Sequence, residues 1–179
     1  MTSLRPLILS ALFLSTTYAH SQAAKGFSSA SLALYQPNDV LQARVPSVEK
    51  FAAYVKEIEH VCQTFFAEST VAESLNLVIA IRPDRTFKVW FISSTHPDAP
   101  KDREVLRENL EKLPPCEVVG GPIAFAMVST IAGGDGKPIK PLADGKPPFP
   151  KEWTDASKKK EAAVIVPDGI LDEVWPTKK

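Results

Sequence analysis

Two short alternating runs joined across a proline–aspartate turn constrain this chain more than any other feature. Leu75, Leu77, Ile79 and Ile81 alternate with Asn76, Val78, Ala80 and Arg82, the period of two of a strand with distinguishable faces. Pro83-Asp84-Arg85 then breaks the run. Proline presets φ for the first central position of a turn, and aspartate accepts local backbone hydrogen bonds. Phe87, Val89 and Phe91 next alternate with Lys88, Trp90 and Ile92, a β-branched and aromatic set that strands favour. The gap is short, so the two runs are expected to form an antiparallel hairpin.

Ser93-Ser94-Thr95-His96-Pro97 has loop chemistry, and Asp98 is suited to cap a helix with Pro100 in its first turn. Val105, Leu106, Leu110 and Leu113 form a narrow apolar stripe at helical spacing, ended by Pro114-Pro115. Gly120-Gly121-Pro122 opens a third strand, with Ile123, Phe125, Met127, Ser129 and Ile131 on one face and Ala124, Ala126 and Val128 on the other. The expected fold class is α+β, a three-stranded antiparallel sheet in the order β-β-α-β.

Pro83-Asp84, the run from Phe87 to Ser94, Asp102, Leu106, Leu113-Pro114-Pro115 and Gly121-Pro122-Ile123 together resemble the C-terminal domain of the TonB/TolA family, a small periplasmic module. The likeness covers residues 75–131. It implies a domain that binds extended segments of partner proteins along the edge of its last strand, which here places Ile123, Phe125, Met127 and Ser129 as partner-binding residues. The chain departs from the family in having no long linker between an anchor and the domain. A soluble adaptor, inhibitor or immunity-type role therefore fits better than energy transduction from the inner membrane.

Residues 1–23 read as a signal peptide. Arg5 supplies the positive start, residues 7–14 the short apolar core, and Thr17-Tyr18-Ala19 or Ser21-Gln22-Ala23 the small residues for cleavage. The apolar run is shorter than the roughly 20 residues of a spanning helix. A periplasmic or secreted location follows, with no stable membrane insertion after cleavage. Residues 24–46, rich in Ser, Gln and Asn, read as an extended lead-in. Pro46-Ser47 starts the clearest helix, where Val48, Phe51, Val55, Ile58, Cys62 and Phe65 repeat at spacings of three and four. Both faces of the sheet carry apolar residues. The helix of residues 105–113 is expected on one face, and this N-terminal amphipathic helix on the other, over Trp90, Ile92, Ala80, Ala124 and Ala126.

Residues 47–131 thus form the expected domain, and residues 132–179 a Pro/Lys-rich tail. The chain has 16 prolines in 179 residues, about twice the usual share, and five of them between Lys137 and Pro150 give the tail a semi-extended linker character. Residues 153–163 have the composition of a short helix. Residues 164–175 read either as a terminal hairpin or as a chance echo of the central one, Pro-Asp turns being common.

Chemistry-bearing patterns are sparse. Two cysteines, Cys62 and Cys116, suggest a disulfide in an exported chain, with two buried free thiols as the alternative. His60 and Cys62 lie two apart on a helix, which points them to different faces and argues against a shared metal. His20 falls in the signal and His96 in a loop. No nucleophile elbow or phosphate-binding loop is present, so neither catalysis nor a cofactor is expected. The 21 basic residues balance 21 acidic ones, without a surplus to attract nucleic acid. The sequence therefore points to a non-catalytic module for an envelope protein or peptide segment. The alternatives are a small secreted enzyme with an unrecognised site and a structural envelope component attached by its tail.

Overall fold

The computed structural model describes residues 26–95, 101–161 and 165–176. The proposed signal at residues 1–23, His96, and Asp98 with Pro100 lie outside them.

The fold is α+β, as expected, with a four-stranded antiparallel sheet. In chain order it runs β1 (Phe27–Leu34), α1 (Asn38–Arg44), α2 (Val48–Phe65), β2 (Glu73–Ile81), β3 (Phe87–Ser93), α3 (Lys101–Leu110), β4 (Ile123–Ile131), α4 (Lys151–Lys159) and α5 (Pro167–Val174). The spatial strand order is β1-β4-β2-β3. Among the described residues no helix is long and apolar enough to cross a membrane.

The central hairpin forms in the register its alternation predicts, with Ile79 opposite Val89 and Leu77 opposite Phe91. Asp84 closes the turn by accepting from the Thr86 amide at 3.0 Å and the Thr86 hydroxyl at 2.6 Å. Ser47 caps α2 by accepting from the Lys50 amide at 3.2 Å. In α3, Leu106 and Leu110 are buried, whereas Val105 is exposed and does not belong to the apolar stripe.

Within the expected lead-in of residues 24–46, Phe27–Leu34 form a fourth strand and Asn38–Arg44 a short helix. β1 pairs with β4, with a register shift between Ser29 and Ser31. The extra residue at that shift reverses the side-chain parity, which lets both Phe27 and Leu34 join the same core.

A second correction concerns which helix covers which face. Helices α2 and α3 share one face, packed on Leu75, Leu77, Ile79, Ile81, Phe125 and Met127. The other face, bedded with Val78, Ala80, Ala124 and Ala126, is covered by the C-terminal segment through Trp153, Ile170 and Leu171. The small side chains leave depth for bulky ones, and Trp153 fills it with no exposed surface. The tail is therefore a cover of two helices and not a terminal hairpin. Pro167, a turn signal in sequence, sits in the first turn of α5, where its missing N–H costs nothing.

Arginines pin both ends of α5. Arg44 binds Asp168 with two parallel bonds of 2.7 and 2.6 Å and donates to the Pro122 carbonyl at 2.7 Å. This needs Gly121, since a Cβ there would stand 2.7 Å from the Arg44 guanidinium carbon. At the other end Arg82 donates to the carbonyls of Leu171 and Trp175 and lies over the Trp175 ring, 4.3 Å from its centroid. The Leu171 carbonyl also accepts from the Trp175 amide at 3.0 Å, so the Arg82 cation sits at the C-terminal end of α5, where it complements the helix dipole.

Candidate protein-interaction site

The order of the strands decides where another chain could join the sheet. β4 lies between β1 and β2 and has no open edge. Its expected partner-binding residues Ile123, Phe125, Met127 and Ser129 stand opposite Ile81, Ile79, Leu77 and Leu75 of β2. Their side chains are at most 2 % exposed. The even residues of β4 face β1, as the bond from the Tyr35 amide to the Ala124 carbonyl (3.1 Å) shows. Strand addition along β4 is thus blocked by the chain's own N-terminal strand.

The open edges are β1 and β3. On β3, the Arg82 amide bonds the Thr86 carbonyl at 2.9 Å and the Ser94 amide bonds the Ser74 carbonyl at 3.0 Å. With the observed register, this assigns Lys88, Trp90 and Ile92 to the ladder with β2. Phe87, Val89, Phe91 and Ser93 then turn their backbone N–H and C=O groups outward. Among the described residues nothing pairs with the outer backbone groups of Phe87, Val89 and Phe91. β1 is a poorer template, because its bulge interrupts the edge.

The second half of β3, residues 90–93, lines a cleft of about 600 Å³ together with Arg107 of α3 and with Phe149, Pro150, Lys151, Glu152 and Asp155 of the C-terminal segment. The indole N–H of Trp90 donates to Glu152 at 2.8 Å, and Lys88 donates to the Val174 carbonyl at 3.2 Å. Phe149 stacks on Tyr35 (5.2 Å between centroids) and Trp153 (5.9 Å), and Trp153 meets Trp90 edge-on at 5.3 Å. Tyr35 donates to the Pro148 carbonyl at 3.0 Å, and burial holds its hydroxyl protonated. These contacts make a rigid wall of an otherwise proline-rich stretch. Opposite, Arg107 lies 5.6 Å from the centroid of Phe91 and pairs with Glu104 at 2.5 Å.

The expected disulfide is not formed; Cys62 and Cys116 are free thiols. Cys62 is wholly buried, whereas Cys116 lines a surface pocket with Lys50 and Tyr54, near the start of α2. Burial pushes the Cys62 thiol up to about 12 and the Cys116 thiol up to about 11, so neither is an activated nucleophile. His60 is exposed while Cys62 is buried, on different faces of α2.

The cleft was legible only in part. The apolar face of Trp90 and Ile92 calls for a cover and residues 153–163 have helix composition, but residues 149–152 carry only the proline-rich linker signal. The chain matches no family model, no curated protein and no solved structure.

Proposed function

We propose that this protein is an exported, non-catalytic interaction module of adaptor or inhibitor type, acting in the periplasm or outside the cell. It takes up an extended segment of an envelope protein as a fifth strand along the outer edge of β3. One observation carries the reading: β3 is an edge strand whose outward backbone groups at Phe87, Val89 and Phe91 have no partner among the described residues, and the row runs into a cleft lined by residues 90–93, Arg107 and the C-terminal segment. Strand addition satisfies such groups, and flanking pockets give selectivity. The cleft also favours a bare segment over a second copy of the sheet, whose own walls would collide with these. The proposed export rests on the charged start, apolar core and small-residue sites of residues 1–23.

The test is capture from the cell envelope by the wild-type protein, Phe91→Ala and Phe91→Pro. Alanine removes the ring but keeps the outward N–H; proline removes that N–H without breaking the ladder to β2. A partner held by wild type and Phe91→Ala and lost from folded Phe91→Pro supports strand addition. Equal capture by all three moves the site away from β3.

A further inference from the structure

The two walls of the cleft differ in chemistry, and the pleat of an added strand would read them separately. Directly opposed residues on neighbouring strands share a face. A residue opposite Phe91 would lie on the side of α2 and α3, beside Arg107. The guanidinium of Arg107 offers five N–H donors. Its Nη1 bonds Glu104 at 2.5 Å, its Nε is buried within the chain, and its Nη2 has no acceptor among the described residues. The next residue of the added strand, opposite Ile92, would lie on the other side, where half-buried Ile92 and Phe149 present apolar surface beside Glu152 and Asp155.

We infer that the β3 cleft selects an extended segment with an acidic residue next to an apolar or aromatic one, the acid meeting Arg107 and the apolar side chain seated between Ile92 and Phe149. The inference rests on strand addition at β3 and names the partner chemistry. A carboxylate is the group that complements an unused guanidinium donor, accepting a charge-assisted bond from Nη2. The apolar wall supplies the neighbouring preference by excluding water from a side chain that would otherwise be exposed.

The probes are two peptides of about ten alternating Thr and Val residues, a length that covers β3, each with one Phe preceded by either Asp or Lys. Each is titrated into the isotope-labelled protein while backbone amide shifts are followed. The Asp peptide should bind about five-fold more tightly than the Lys peptide, the scale of a partly screened ion pair. Arg107→Gln should erase that ratio while binding persists, and Arg107→Glu should invert it. Equal affinity of both peptides, with shifts at the Val89 and Phe91 amides, would leave strand addition in place and overturn acid selection. Shifts confined to other strands or helices with either peptide would overturn both.

Discussion

Trp90 donates its indole N–H to the carboxylate of Glu152 at 2.8 Å, which ties the open edge strand β3 to the first turn of α4. The same carboxylate lies 3.4 Å from the Lys88 ammonium. One acidic residue thus fixes the position of the cleft's apolar wall relative to its floor. Glu152→Gln keeps an acceptor for the indole, whereas Glu152→Ala removes it. Alanine should cost about 1–2 kcal/mol, the scale of a hydrogen bond to a charged group, and should alter Trp90 fluorescence. Glutamine should lie between it and wild type in urea unfolding. Equal stability of all three proteins would show that the bond does not hold the wall.

The pair of Arg44 and Asp168 makes stability depend on acid. The Arg44 guanidinium, bonded in a fork, holds the Asp168 carboxyl below the usual carboxylate range. A group with a lowered folded pKa contributes stability above its unfolded pKa and loses it as pH falls through the folded one. The acid-unfolding midpoint of wild type should therefore be lower in pH than that of Arg44→Ala, and the difference between the two proteins should shrink as pH falls below the ordinary aspartate value of about 4. Parallel curves with a constant difference down to low pH would contradict this.

Glu73 and Arg103 form a buried pair at 2.7 Å, with side chains 3 % and 4 % exposed. Arg103 also lies over Phe66, 4.7 Å from its centroid. Removing either charge alone strands the other in the core, at a cost of about 3–5 kcal/mol. Glu73→Leu and Arg103→Met together should recover much of that loss. A double change costing the sum of the single ones would contradict the account.

The hairpin and α2 were legible because alternation and helical spacing survive any arrangement of neighbours. Ser28, Ser29 and Ser31 hid β1, which forms through its backbone bonds to β4 and whose bulge breaks the period of two. The composition of residues 153–163 already pointed to a short helix, which forms as α4, whereas Pro167 hid α5: a turn signal in sequence, it stands at a helix start, where proline's missing donor is harmless. The face taken by α2 was misread because both faces of β2 and β4 are apolar. Only the volumes separate them, with Ala80, Ala124 and Ala126 accommodating Trp153, whose sequence neighbours are Glu152 and Thr154. The β3 edge was passed over in favour of β4 because a strand hidden in the lead-in changed which strand was central.

Trp153 should then be among the most sensitive positions in the chain. Trp153→Ala leaves a large void over the alanine bed and should cost about 3–5 kcal/mol, whereas exposed Val48 should tolerate alanine within about 0.5 kcal/mol. Denaturant unfolding compares the two. A small effect at Trp153 would mean that the C-terminal cover contributes little to the fold.

The central claim is that β3, and not β4, receives the partner. Amide hydrogen exchange, read residue by residue with and without the captured partner, tests it most directly. The account predicts new protection at Phe87, Val89 and Phe91, whose N–H groups point outward in the free protein, while Ile123, Phe125 and Met127 are protected in both states. Protection gained along β1 or α2, with β3 exchanging as before, would contradict it.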